Sequence, residues 1–256
     1  MREFHLVSDL DGTWIPERGR QSDLRRLEAS VQRQKGTVLT FATGRTFTSA
    51  MQLIQKWQLM EPDHLITDVG CALWHRWGKG IYEEDAVYAS MVSARWAGDN
   101  AERLLGFWLP KSVRRQFGVA ATRRLALQPA PNVPMKKAEK DLRDSMRACG
   151  MRADVLASQG RFLDVLPRGV DKGFAVSYLQ STFHLPRPLV CCGDSANDVG
   201  MLKYADYTVL MGDGFIGFDA PGLPRSRTYR TPSGGPEAIQ SALLSFGLLE
   251  EVGRDH

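Results

Sequence analysis

Two apolar runs, far apart in the chain, end in the same unusual way. Phe4-His5-Leu6-Val7 leads through Ser8 into Asp9-Leu10-Asp11-Gly12-Thr13. Pro188-Leu189-Val190-Cys191-Cys192 leads into Gly193-Asp194-Ser195-Ala196-Asn197-Asp198. Such runs read as strands buried on both faces, the kind found in parallel sheets covered by helices. Carboxylates crowded at a strand exit repel each other. They persist where a cation sits between them, or where one holds a proton for acid–base work.

The chain between these runs follows the same logic at first. Ser22 is placed to cap a helix carrying Leu24, Leu27 and Val31, which Gly36 ends. A strand at 37–41 leaves through Ala42-Thr43-Gly44-Arg45, a helix carries Met51, Ile54 and Trp57, and a third strand follows at 64–67. Strand and helix alternate, which predicts an α/β fold with a doubly wound parallel sheet. Gly78-Lys79-Gly80 interrupts the rhythm. Residues 81–165 read instead as an α+β insert: helical stretches first, a strand at 124–127, a helix beginning near Pro134 and ending at Gly150, and strands at 153–156 and 162–165. The rhythm returns at Asp171 with a helix over 172–183, the strand at 188–192, a short helix, a strand at 207–210 and a last helix over 236–249. The expected division is a core of 1–80 and 166–256 with an inserted domain of 81–165.

Composition narrows the partners. A net charge of +4 on 256 residues is far short of a nucleic-acid-binding balance. No stretch approaches the about 18 apolar residues of a membrane span, and the N-terminus has no signal-peptide pattern. The four cysteines form no C-x-x-C pair, so a zinc site is not expected and buried free thiols in a reducing cytosol are. A cytoplasmic monomer with no nucleic-acid or membrane partner is the expectation.

In an open parallel sheet, ligands bind where the carboxyl ends of the strands meet. If the first, second and 188–192 strands are neighbours, Asp9, Asp11, Asp194, Asp198, Lys172 and the Thr43 hydroxyl converge. Oxygen donors at that density suit Mg²⁺ with a substrate phosphate, whose remaining oxygens a lysine and a hydroxyl would hold.

These residues form a recognisable set. DLDGT at 9–13, ATGRT at 42–46, the isolated Lys172 in PRGVDKG and GDSANDVGML at 193–202 resemble the four ordered motifs of the haloacid-dehalogenase (HAD) phosphatases. The position of the insert resembles that superfamily's type-2 cap. SDLDGTW, MEPDHLITDVG, SQGRFLDVLP and YRTPSGGPEAI are similar to the sucrose-6-phosphate phosphatase family. The resemblance covers both core halves and is loose over roughly 85–150.

The resemblance implies a Mg²⁺-dependent sugar-phosphate phosphatase. Asp9 is then the nucleophile and Asp11 the acid–base residue. Gly12, Thr43, Gly44, Lys172 and Asn197 bind phosphate, and Asp9, Asp11, Asp194 and Asp198 serve the metal. Ser158, Gly160 and Arg161 of the insert face the sugar, and Asn197 holds Lys172 or the phosphate. Sucrose 6-phosphate is the first substrate to consider. Mannosylfructose phosphate, glucosylglycerol phosphate, mannosyl-3-phosphoglycerate, a phosphomannomutase-like phosphotransfer and a non-catalytic sugar-phosphate-binding module stay open. ATGR also reads as a plain strand-to-helix turn with Thr43 as its cap and Arg45 in solvent. Between Leu104 and Ala138 there are basic residues and no acidic ones, a stretch suited to attracting an anion or simply to a solvated face.

Overall fold

The computed structural model describes residues 3–15, 21–96, 109–121, 123–158, 160–212, 223, 227–231 and 234–250. In chain order the strands are β1 (His5–Ser8), β2 (Val38–Ala42), β3 (His64–Thr67), β4 (Ala72–Gly78), β5 (Ile81–Glu84), β6 (Val113–Arg115), β7 (Leu125–Pro129), β8 (Ala153–Ser158), β9 (Phe162–Pro167), β10 (Leu189–Gly193), β11 (Tyr207–Met211) and β12 (Thr228–Thr231). The helices are α1 (Gln21–Arg33), α2 (Phe47–Trp57), α3 (Ala86–Arg95), α4 (Met135–Ala148), α5 (Lys172–Phe183), α6 (Val199–Tyr204) and α7 (Pro236–Ser245). Among the described residues no helix is long and apolar enough to cross a membrane.

One sheet holds eight strands in the order β12-β11-β10-β1-β2-β3-β4-β5, parallel from β12 to β3 and antiparallel beyond. Alternation along each central strand divides the apolar residues between two cores. Leu6, Val190 and Cys192 face Leu24, Ile54 and Leu243, from α1, α2 and α7. Val7, Leu189 and Cys191 face Val92, Val176 and Leu202, from α3, α5 and α6. Both faces are covered, so the strands read as unbroken apolar runs. The doubly wound α/β expectation holds.

A second sheet, β6-β7-β9-β8, is antiparallel and packs on α4 through Leu127, Leu142 and Leu163. Its edges differ from the sequence reading. The Gly78–Gly80 break is a hairpin, and strand β5 pairs with β4 in the large sheet rather than entering the insert. Strand β9 carries the small sheet two residues past 165. Ser22 lies inside α1 rather than capping it, and the last helix ends at Ser245. Pro134 is the N-cap, one residue before α4. Trp74 stacks on Phe47 with ring centroids 4.0 Å apart, a packing role, while Trp77 is exposed and Trp108 lies outside the described residues.

Two histidines, His5 buried and His64 half-buried, couple this core to acid. His5 is bonded to Thr40 Oγ1 at 2.8 Å and to Gln180 Nε2 at 2.7 Å. Burial, with His64 and Arg187 nearby, lowers its pKa to about 3. Burial and His75 lower that of His64 to about 4. Both are neutral in the fold, and the unfolded chain takes up their protons below about pH 6.5. Stability should therefore be level above that pH and fall as pH drops from 6.5 towards 4. Urea unfolding across this range should show His5→Asn flattening the fall by about 1.4 kcal/mol per pH unit. An unchanged slope would contradict the neutral, buried state of His5.

Candidate active site

Strands β10, β1 and β2 are adjacent, with Ser8 paired to Cys192 on one side and Phe41 on the other. Their exits therefore open at one place, as the sequence pattern anticipates. The Asp9 N–H still donates to Cys192 O, at 3.0 Å, so the first carboxylate leaves the sheet in a fixed direction.

Lys172 stands in the first turn of α5, which Asp171 caps by accepting from Phe174 N. Its Nζ lies 2.7 Å from Asp9 Oδ1 and 2.7 Å from Asp198 Oδ1, with all three residues buried. The other oxygen of Asp198 accepts from the Asp194 and Ser195 N–H groups at 3.1 and 3.0 Å and from the Ser195 hydroxyl at 3.2 Å. Two close backbone approaches set these distances. A Cβ on Gly173 would lie 2.4 Å from the Gly200 carbonyl carbon, and one on Gly12 would lie 2.2 Å from Asp194 Oδ2. Gly12 also has φ +80, where side chains are strained. A Cβ on Gly234 would lie 2.4 Å from Gly12 O, so the chain's last described segment backs the first loop.

Asp9, Asp194 and Asp198 each present an oxygen within 4.8 Å of the others. Burial pushes the Asp9 carboxyl up; Lys172 pulls it back, and Asp198 and Asp194 push it up again. Burial opposes the Lys172 charge, yet Asp198 and Asp9 hold its pKa above the ordinary value. Lys172 gives one positive charge to the two buried carboxylates it bonds, Asp9 and Asp198, which leaves that pair short of positive charge with Asp194 alongside. A divalent cation with oxygen ligands fits that deficit. Replacing Lys172 with Met should therefore lower stability by about 3–5 kcal/mol, the cost of leaving buried charges without their partner. Urea unfolding in chelator would read this. A loss below about 1 kcal/mol would mean that the lysine is not needed to hold Asp9 and Asp198 in place.

The Asp11 side chain does not join this cluster, contrary to the four-carboxylate expectation. Arg45 holds it in a fork, Nε to Oδ2 and Nη2 to Oδ1, both at 2.7 Å. Arg45 also reaches Ser49 Oγ at 3.0 Å. The helix cap is Thr46 rather than Thr43, and Arg45 is half-exposed with its guanidinium paired to Asp11. Thr43 is buried, and its Oγ1 accepts from Arg45 N at 3.2 Å. Asn197 does not contact Lys172 as expected; its Oδ1 accepts from the Ser195 hydroxyl at 2.8 Å.

Asp9, Asp11, Gly12, Thr43, Gly44, Arg45 and Asn197 line one side of a cavity of roughly 630 Å³, and Gln116, Phe117, Arg124, Gln128, Ser158, Arg161 and Asp164 from the small-sheet region line the other. Ser158 and Arg161 are on the small-sheet wall of this cavity. Gly160 is not on the wall: with φ +64 it makes the turn between β8 and β9. The basic stretch proves to be partly neutralised. Arg123 pairs with Glu84, and Arg124 pairs with both Asp68 and Asp164. Sequence reading missed Asp68 and Asp164, because each lies dozens of residues from its partner.

The sequence model of the family described as sucrose-6F-phosphate phosphohydrolase matches residues 2–215. A sucrose-phosphatase from Synechocystis sp. PCC6803, solved in complex with sucrose and phosphate, is 29% identical with a TM-score of 0.80, the match covering 96% of this chain and 99% of that one. A glucosylglycerol-phosphate synthase of Pseudomonas anguilliseptica is 29% identical in an alignment 259 positions long that covers 97% of this chain and 31% of the synthase. A probable sucrose-phosphatase 3a of Arabidopsis thaliana is 27% identical in an alignment 226 positions long that covers 78% of this chain and 48% of that protein. The chain thus spans between about a third and about a half of the length of these two curated relatives. A haloacid dehalogenase-like hydrolase from Bacillus subtilis shares the fold at 17% identity, with a TM-score of 0.68 over 97% of this chain and 93% of that one.

Proposed function

This chain belongs to the sucrose-6F-phosphate phosphohydrolase family, and from that premise we propose that it is a Mg²⁺-dependent sugar-phosphate phosphatase, with sucrose 6-phosphate as the first candidate substrate. The observation that carries the reading is the buried Asp9–Lys172–Asp198 cluster opening, beside Asp11, into a cavity large enough for a disaccharide phosphate.

A carboxylate oxygen of Asp9 attacks phosphorus, and the bond from phosphorus to the sugar oxygen breaks. Asp11 gives its proton to that oxygen, leaving an aspartyl-phosphate and a free sugar. Water then attacks phosphorus, Asp11 takes a proton from it, and Asp9 leaves as a carboxylate. Lys172 orients Asp9, while the Thr43 hydroxyl and the Asn197 amide would hold phosphate oxygens; the Gly12 N–H, expected among these donors, donates instead to Ile15 O at 2.9 Å. Asp9, Asp194 and Asp198 would hold Mg²⁺, which supplies positive charge to the phosphoryl oxygens. Arg45 holds Asp11 in the cavity wall, and Asp11 acts as the acid with one oxygen released from that fork and carrying the proton.

The small sheet acts as a cap that selects the sugar. Ser158 and Arg161 offer polar contacts from its side, and Arg161 lies 4.6 Å over the Phe162 ring. The preferred disaccharide phosphate should exceed a small aryl phosphate in kcat/KM by at least about 100-fold, the scale of a few buried hydrogen bonds. Arg161→Ala should shrink that ratio. An unchanged ratio would remove Arg161 from sugar selection. The glucosylglycerol-phosphate synthase relative makes glucosylglycerol phosphate the second candidate. A phosphate-release screen over sugar phosphates with Mg²⁺ tests the proposal. Release from none of them would defeat it, and turnover that requires a sugar bisphosphate would mean a mutase.

A further inference from the structure

Arg124 lines the cavity, yet it is buried and each of its three guanidinium nitrogens donates to a protein acceptor. It immediately precedes β7. Its Nη1 donates to Asp164 Oδ1, on the neighbouring strand β9. The other contacts cross to the large-sheet side: Nε donates to Asp68 Oδ1 at 3.1 Å, and Nη2 donates to Gly44 O at 2.8 Å. One planar fork thus joins the small sheet to the loop after β2, which lines the cavity, and to the turn after β3 behind it.

Those two loops are already tied together. Asp68 N donates to Arg45 O at 2.8 Å, and Val69 N donates to Thr43 O at 3.2 Å. Asp68 and Val69 have φ of 53 and 59, consecutive left-handed residues other than glycine. Such backbone persists only when its surroundings hold it. The Gly44 carbonyl that Arg124 grips belongs to the same peptide unit as the Arg45 N–H. That N–H donates to Thr43 Oγ1 at 3.2 Å. The peptide is therefore held at its oxygen by the small sheet and at its hydrogen by the Thr43 hydroxyl. Turning it would disturb Thr43 and shift Arg45, whose side chain fixes Asp11.

We infer that Arg124 is a positioning residue: through the Gly44–Arg45 peptide, docking of the small sheet sets the Thr43 hydroxyl and the Arg45–Asp11 pair. This rests on the phosphatase reading for its catalytic consequence, though not for its structural one. The fork is required. A lysine keeps the charge but offers a point donor that cannot serve Asp68, Asp164 and the carbonyl together.

The test compares wild type, Arg124→Lys and Asp68→Asn in the full chain, with p-nitrophenyl phosphate and sucrose 6-phosphate as substrates. The aryl ester has no sugar for Arg124 to read. Arg124→Lys should lower kcat on both esters by about 100-fold, the scale of a misplaced catalytic group, with KM for the aryl ester little changed. Hydrogen exchange in peptides covering 42–47 and 66–70 should accelerate about tenfold in both variants, while β1 and β10 keep their protection. A loss confined to the sugar ester would overturn the inference, since Arg124 would then read the sugar. Wild-type exchange at 42–47 in a folded Arg124→Lys would also overturn it. The exchange measurement needs no turnover, so the inference stands or falls even if no phosphate ester proves to be a substrate.

Discussion

Asp9→Asn should abolish phosphate release, by at least about 10⁴-fold in kcat, while the protein stays folded. Phosphate monoesters react with water so slowly that nearly all the rate comes from the enzyme, and loss of the nucleophile removes the covalent route. The fold should tolerate the change for a local reason. Asparagine has the same shape, its Oδ1 can still accept from Lys172, and Lys172 keeps Asp198 at 2.7 Å. Asp9 and Asp198 share the one Lys172 ammonium, so removing one of the two negative charges relieves repulsion rather than creating it. The thermal midpoint in chelator should stay level or rise. Steady-state rates and calorimetry on the same sample decide the matter, and a folded variant keeping more than about a tenth of wild-type kcat would sink Asp9 as the nucleophile.

Chelation should be nearly as damaging. EDTA is expected to remove activity by at least about 10³-fold, Mg²⁺ to restore it, and Ca²⁺ to bind without restoring it. The deficit of positive charge around Asp9, Asp194 and Asp198 argues for a cation. Ca²⁺ takes more ligands at longer distances, which misplaces the phosphorus relative to the Asp9 oxygen. Calorimetric titration gives an independent readout: Mg²⁺ should bind wild type and bind Asp194→Asn more weakly. Full turnover in EDTA would refute the metal reading.

The legible parts of this molecule are those written locally. The strand at 5–8, the strand at 189–193 and the helix that starts at Lys172 are announced by apolar runs with acidic or capping exits. Their convergence follows from parallel-sheet topology. The illegible parts depend on partners remote in sequence. Arg45 meets Asp11 across 34 residues, and Arg124 meets Asp68 across 56 and Gly44 across 80. No periodicity records such meetings, so Arg45 reads as solvated and Arg124 as one charge in a basic stretch. The β4–β5 hairpin escaped for another reason. Its half-exposed Trp-His-Arg-Trp sequence lies at the antiparallel edge of the sheet, where neither unbroken apolarity nor clean alternation is required.

The position of β1 between β2 and β10 has a consequence for synthesis. On the ribosome β1 emerges early, and β2 can join it soon after. Its other neighbour, β10, begins only at Leu189, and the glycine that backs the Asp9–Asp11 loop is Gly234. Through most of translation one edge of that apolar strand has no partner, a state that favours slow folding and chaperone capture. The Asp9–Asp11 loop is thus among the first parts of the site to be made and the last to be completed, so a half-made chain has no assembled site.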